Sequence, residues 1–514
     1  MSRIKRFTHS LISGYALLGG NIVFSLASVP LALHYLTDKE FGLWALITQL
    51  ANFNMMVIDL GISGALSRVL IDHKDNRETS DYGTVIQTGT LVLIVQALLI
   101  AVSGSVISYW LPGWMKIDVQ FHSIFRVLMI CQCVILGIAF AGRIFSFILQ
   151  AHQRYDVSNY ANLGGFALNL IALWLSFHFR LGLYSMLTGF VVSTLFGIVC
   201  CTLAVRRLGF LPAKGLWGRP NRATFREIFF FGADIFLISI GQQLIAMSQG
   251  PVITRTLGLE ATAVWSVAVK VFVMGQQLIY RIFDFSGGAF AEMVVRGEPE
   301  RLKARYRDLL ILTGSAAAAV GMTMALCNPA AVRILTHGRL SWGPQNNLLM
   351  AVSLFVYSLT RLPFGFVGVT KKVGAMKYIY FLEGLSFVGL GLLSAPHLGF
   401  AGIIGSGIVT NLLFSGVYGT RRTVAYFRMG YAQLFRDWFG RPLTVFASSA
   451  IAAFAVWLLI QQSGVIVQLA AGAGLFGLIA VLLFWRAGVP EHLRKEALGR
   501  LGSLRVIKVF RPNI

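Results

Sequence analysis

Among the polar side chains of the apolar run 260–290, five fall on one side: Ser266, Lys270, Gln277, Arg281 and Asp284. At about 100° per residue they fall within an arc of roughly 60°, so a helix here carries one polar face along its length. Lys270 lies roughly 15 Å in from the start of that helix, at 1.5 Å per residue. The run 41–70 repeats the pattern with Gln49, Asn52, Asp59 and Ser63, spread over about 80°. Elsewhere Arg143 shares one side of 123–150 with Gln132 and Gln150, and Asp234 shares one of 229–254 with Gln242 and Gln249. Arg361 lies near Tyr357 in 344–370, and Glu383 interrupts 378–395. Arg143, Lys270, Arg281 and Arg361 together suit an anion, because a guanidinium binds phosphate bidentately and an ammonium adds a point charge. Gln49, Asn52 and Gln277 add amides that can hydrogen-bond a polar ligand. Asp59, Asp234 and Asp284 either pair with these cations or couple to H⁺ or Na⁺. For each lone charge, a structural salt bridge competes with a binding role.

Other chemistries find less support. Cys131 and Cys133 form a C-x-C pair with no His or carboxylate at ligand spacing, so no metal site is expected, and all five cysteines read as small packing residues. The phosphate-cradling G-x-x-x-x-G-K-[ST] loop is absent. No catalytic residue and no cofactor is predicted.

The elements that must hold these side chains are membrane helices. The chain of 514 residues is 56% hydrophobic and 13% charged, with a mean hydropathy of +0.71, where a soluble domain keeps about a quarter of its residues charged. Fourteen runs long enough to cross a bilayer are read at 11–36, 41–70, 84–110, 123–150, 159–178, 182–205, 229–254, 260–290, 308–335, 344–370, 378–395, 399–420, 443–461 and 466–486. Of the 44 Lys and Arg, 33 fall in loops and tails on the side of the amino terminus, 6 in the opposite loops and 5 within helices. This asymmetry places both termini in the cytoplasm. The net charge of +23 then reads as basic rims against anionic lipid, not as a nucleic-acid surface. Arg3, Lys5 and Arg6 precede an apolar stretch longer than a signal-peptide core, which reads as the first span.

The expected organisation is an amino-terminal six-helix lobe (1–205), a linker (206–228), a second six-helix lobe (229–420), an interfacial segment (421–442), a terminal pair of spans (443–486) and a basic tail (487–514). The lobes look like weak copies. Leu36 to Trp44 (LTDKEFGLW) leads into the second span, and Leu257 to Trp265 (LGLEATAVW) leads into the eighth. Asp59 and Asp284 follow late in each, before small residues. Repeated halves around a central site are a transporter architecture. No outer loop exceeds about twelve residues by this reading of the spans, which disfavours a membrane glycosyltransferase or polymerase with an extracytoplasmic catalytic domain.

LTDKEFGLWAL followed by VIDLGISGALSR, together with SGGAFAEMVVRGEPERLKARYRDLL, resembles the bacterial polysaccharide-transporter family of oligosaccharide-lipid flippases. The resemblance implies a multidrug-exporter-like fold, all-α and polytopic, with two pseudo-symmetric six-helix lobes plus a carboxy-terminal pair. It also implies movement of undecaprenyl-diphosphate-linked repeat units from the inner to the outer leaflet of a bacterial cytoplasmic membrane, for O-antigen, capsule or exopolysaccharide assembly. Polysaccharide assembly machinery is an expected partner class. A cation-coupled drug antiporter on the same fold, or a membrane glycosyltransferase, stays an alternative.

Overall fold

The computed structural model describes residues 3–74, 80–340, 342–369 and 374–503, and among these there are helices and turns but no strand. The helices are α1 (Arg3–Tyr35), α2 (Asp38–Asp59), α3 (Ile62–His73), α4 (Asp81–Trp114), α5 (His122–Ala151), α6 (Tyr155–His178), α7 (Tyr184–Arg207), α8 (Arg222–Met247) and α9 (Gln249–Leu257). They continue as α10 (Leu259–Ala268), α11 (Lys270–Arg296), α12 (Pro299–Leu335), α13 (Pro344–Val369), α14 (Met376–Leu398), α15 (Phe400–Phe427), α16 (Tyr431–Ile460), α17 (Val465–Gly488) and α18 (Glu491–Ser503). Helices lie over all fourteen predicted runs. Among the described residues eleven are long and apolar enough to cross a bilayer, and the adjacent pair Leu259–Ala268 and Lys270–Phe283 makes twelve if counted as one span. The protein is an all-α, multi-pass membrane protein. Fourteen crossings is the number we propose.

Helix α4 shows which solvent the fold is built for. Ile86, Leu93, Ile100 and Gly104 are buried on one side, while Leu91, Val95, Leu98, Val102 and Val106 are exposed on the other. Both sides are apolar. A helix facing water would carry charge on its outer face, so the outer face here is matched to hydrocarbon.

The chain divides into two compact units, Met1–Val267 with Tyr380–Gly399, and Ala268–Ile379 with Phe400–Ile514. In the first, α4 packs along α5, α6 along α7, and α1 along α6, while α8 rests on α2, α3 and α4. Close approach depends on small residues, the usual means of packing helices in lipid. A Cβ on Gly137 of α5 would meet the Ala97 carbonyl of α4 at 2.7 Å, and Cys133 fills the space over Gly104. In the second unit α12 is the central helix, surrounded by α11, α13, α16 and α17. Its Gly314 takes Leu359 and Pro442 within 3.0 Å of where a Cβ would stand.

One connecting segment differs from its sequence reading. The run 421–441 does not form a separate helix in the interface. It is the end of α15, a turn at Arg428 with φ 49°, and the start of α16. Three of its six aromatic residues, Phe427, Trp438 and Phe439, turn inward, while Tyr426, Tyr431 and Phe435 stay exposed. Trp438 is 2% exposed and lies 5.5 Å from the Tyr306 ring, with Phe427 and Leu434 in the same core. For those three, burial against α12 outweighs the interfacial preference. In the tail, α18 is docked by His492, whose Nε2 lies 2.8 Å from Oδ2 of the buried Asp308; residues 504–514 lie outside the described residues.

The segment 206–228 is anchored in the first unit. The Tyr82 hydroxyl donates to the Phe210 carbonyl (3.2 Å), and the Asn221 N–H donates to Thr88 Oγ1 (3.1 Å). Gly83 makes the fit possible, since a Cβ there would stand 2.2 Å from the Leu216 carbonyl oxygen. Gly83→Val is therefore expected to lift the segment off α4. Overpacking of about 1–3 kcal/mol predicts roughly tenfold faster trypsin cleavage after Lys214. Cleavage at the wild-type rate would show that the segment is not held there.

Candidate functional site

The first unit contributes Arg143. Its guanidinium lies 4.6 Å over the Phe140 ring of its own helix, and Nη2 reaches 3.5 Å from Met55 Sδ of α2. No ion pair within 4.0 Å reaches it among the described residues, and Asp59 is the carboxylate whose field it feels.

The polar arc predicted along 41–70 is interrupted. Leu60 and Gly61 adopt left-handed backbone (φ 51° and 74°), so α2 ends at Asp59 and α3 starts at Ile62. Glycine tolerates this conformation, and the DLGIS sequence carries the signal. Asp59 serves the break: its Oδ1 accepts from the Ser63 N–H at 3.1 Å and the Ser63 hydroxyl at 2.5 Å. Gln96 of α4 closes the other side, donating to the Ile58 and Asp59 carbonyls at 2.8 and 3.0 Å. Gln49 is engaged likewise at a second break, where its Oε1 accepts from the Gly250 N–H at 3.0 Å near the start of α9. Asn52 donates to the Thr48 carbonyl one turn back, at 2.7 Å. Gln132 is fully buried, and neither of its amide atoms has a hydrogen-bond partner among the described residues.

The second unit holds the other three cations. A break at Val269 ends α10 and starts α11 with Lys270, so Ser266, predicted on the same face, belongs to a different helix. From Lys270 onward the reading survives: Lys270, Gln277 and Arg281 fall within about 40° of one another around α11, spread over ~16 Å of its axis. Lys270 is half-buried, and Gln277 and Arg281 are exposed. Neither cation has an ion-pair partner within 4.0 Å among the described residues. Arg361 of α13 is held by stacking, with its guanidinium carbon 4.0 Å over Tyr280 and 5.7 Å from Phe283. The side chains of Asp234 on α8 and Asp284 on α11 lie outside the described residues.

Thus the structure stacks Arg361 on Tyr280 and Phe283 of α11, and it engages Gln49 and Asp59 at helix breaks. Sequence reasoning missed Asn54 and Gln96 as polar core residues. Asn54 donates to the Ile100 carbonyl at 3.0 Å and accepts from Ser103 at 2.9 Å; nothing in its spacing distinguished it from Asn52. Also in the second unit, an apolar groove of about 340 Å³ runs between α12 and α17, lined by Ala316, Ala319, Thr323, Gly477, Ala480 and Phe484. Among the described residues no cluster of three or more potential metal ligands occurs.

Residues 13–285, more than half of the chain, match the sequence model of a family described as "Polysaccharide biosynthesis protein". No curated protein matches the chain by sequence. Among solved structures, an inward-facing multidrug-resistance MATE transporter of the MOP superfamily aligns at 14% identity and TM-score 0.68, over 78% of this chain and 94% of its own. The lipid II flippase MurJ, in an inward closed conformation, aligns at 13% identity and TM-score 0.66, over 93% and 98%. A MOP superfamily transporter from Pyrococcus furiosus, described as having a binding pocket of reverse polarity, aligns at 15% identity and TM-score 0.57, over 83% and 97%. At these identities the likeness establishes a shared fold.

Proposed function

We propose, from the premise that this chain belongs to the polysaccharide biosynthesis protein family, that it is a flippase. Its substrates are undecaprenyl-diphosphate-linked oligosaccharide repeat units, moved from the inner to the outer leaflet of a bacterial cytoplasmic membrane for O-antigen, capsule or exopolysaccharide assembly. The observation that carries this reading is the Lys270–Gln277–Arg281 face of α11: two cations with no ion pair within 4.0 Å among the described residues, one of them half-buried, along one face of an otherwise apolar helix. A drug antiporter selecting organic cations would favour carboxylates there.

In the proposed cycle two lobes, 1–205 and 229–420, work by alternating access, with Arg143 in the first and Lys270, Arg281 and Arg361 in the second. In the inward-open state the cations take the diphosphate, and amides such as Gln277 meet sugar hydroxyls. The groove between α12 and α17, lined by small residues and nearly free of polar groups, suits a methyl-branched polyprenyl chain. The lobes then rock outward, sparing the headgroup the desolvation penalty of crossing hydrocarbon. Both termini lie in the cytoplasm on the basic-loop asymmetry. H⁺ or Na⁺ coupling through Asp59, Asp234 or Asp284 is part of the proposal.

The test is a reconstituted assay with a defined lipid-linked oligosaccharide, with and without an H⁺ or Na⁺ gradient. Protein-dependent exposure of the headgroup on the far leaflet is expected. In a deletion strain, lipid-linked units should accumulate on the inner leaflet; normal flipping with blocked polymerisation would overturn the proposal in favour of an enzyme.

A further inference from the structure

A cavity of about 500 Å³ opens in the second unit where α12 ends and α16 turns into α17. Its size falls within the roughly 300–1,000 Å³ of small-molecule sites. Arg333, Trp342, Trp457 and Gln461 line it over an apolar floor that includes Val332 and Ile460. This end is far in sequence from the basic inner loops, and the charge asymmetry assigns it to the outer face.

Three observations separate this cavity from an ordinary membrane-interface rim. Tryptophans of an interfacial belt face lipid, whereas Trp342 is only 7% exposed and packs against Phe400 with ring centroids 5.1 Å apart. The wall is also pinned: the Gln468 side-chain amide donates to the Ile460, Gln461 and Ser463 carbonyls at 3.3, 3.2 and 3.1 Å, fixing the α16–α17 turn. Third, Arg333 lines the cavity with no ion pair within 4.0 Å among the described residues, and no acidic residue lines it. Outer loops carry few cations in this chain, yet Arg333 and Arg339 both flank this one.

We infer that this cavity binds an anionic glycosyl group, a sugar bearing a carboxylate or phosphate, at the outer face. Indole faces are electron-rich and attract the weakly positive C–H face of a pyranose ring. The Arg333 fork supplies bidentate recognition of the charged substituent, and Gln461 supplies a donor and acceptor for hydroxyls. Trp342, 7% exposed, backs the wall, and Trp457, 37% exposed, offers the accessible indole; a phospholipid headgroup shares the anion but has no use for that indole. The inference rests on the flippase reading for how a glycan reaches this face; its binding is measured apart from transport.

The experiment uses the full chain in nanodiscs of zwitterionic lipid and ligand-observed saturation-transfer NMR. The probes are a glucuronic-acid-terminated disaccharide, its neutral glucose counterpart and inorganic phosphate. Saturable binding of the acidic disaccharide is expected, weakened at least tenfold by Arg333→Gln and stripped of ring-proton transfer by Trp457→Ala. Trp342→Phe, which preserves an aromatic at the buried position, should weaken binding less. Equal affinity in wild type and Arg333→Gln, or no saturable sugar signal, overturns the site. Binding of phosphate alone, or sugar-free displacement by phosphatidylglycerol, assigns the cavity to a lipid headgroup and also overturns it. Flipping is assayed on the same variants: flipping retained without sugar binding removes this site and leaves the transport reading standing. Sugar binding without flipping in wild type does the reverse.

Discussion

Lys270→Ala and Arg281→Ala are each expected to slow headgroup translocation by about tenfold or more, and the pair together by about a hundredfold. A hydrogen bond to a charged group contributes about 1.5–3 kcal/mol, and the two positions stand ~16 Å apart along α11, far enough for their effects to add. Stability should behave in the opposite way. Lys270 is half-buried without a described ion-pair partner, so its removal orphans no carboxylate among the described side chains and relieves the cost of holding a charge in apolar surroundings. Lys270→Met should therefore melt no lower than wild type while transporting poorly. A structural lysine would give the reverse pattern, because deleting one half of a buried pair is strongly destabilising. Arg361→Lys is the complementary test, since it keeps the charge but gives up the planar stack on Tyr280. Initial rates in proteoliposomes, with melting followed in parallel, check all of these. Unchanged transport in both alanine variants would remove these residues from the translocation path.

The helices over the fourteen runs were legible because hydrocarbon imposes a simple rule: a span must be apolar on every side and about twenty residues long. The family resemblance was legible in LTDKEFGLW and its sequel for a related reason, since capping and turn chemistry is local. Thr37 accepts from the Glu40 N–H at 3.3 Å, and Glu40 answers by accepting from the Thr37 N–H at 2.8 Å, the reciprocal box that T-x-x-E announces. What local pattern could not supply is where a helix stops being one helix. The breaks at Leu60–Gly61 and Val269 re-phase the residues after them, so arcs drawn through Asp59 and Ser63, or from Ser266 to Lys270, do not describe one face. Nor could it tell which amides serve such breaks. Gln49 and Asp59 were read as cavity residues from their type and phase, but partners distant in sequence or across a turn, Gly250 and Ser63, decide where their oxygens point. The cavity beside Trp342 was invisible for the same reason: its walls come from α12, α16 and α17, and no single run contains it.

Gly42→Ala is expected to destabilise the protein by about 2 kcal/mol or more, within or above the usual range for an overpacked contact. The added methyl would stand 2.0 Å from the Leu259 carbonyl oxygen, 2.9 Å from its carbon and 3.3 Å from the Ala263 nitrogen. All three are backbone atoms, so no side-chain rotation can make room, and α2 and α10 must separate. Helix propensity alone would favour alanine over glycine by about 0.5–1 kcal/mol, so the sign of the measured change is itself the test. Gly64 in α3 supplies the control: nothing lies within 4 Å of its would-be Cβ, and Gly64→Ala should hold or raise the melting temperature. The contrast bears on more than packing. Gly42 belongs to the LTDKEFGLW turn and Leu259 to LGLEATAVW, so the two segments that mark the repeat in sequence meet in the fold. Thermal melting of the purified variants, read by the fraction remaining monodisperse, distinguishes the outcomes. A Gly42→Ala protein that melts with the wild type would mean that α2 and α10 do not touch at Leu259, and the meeting of the matched turns would fall with it.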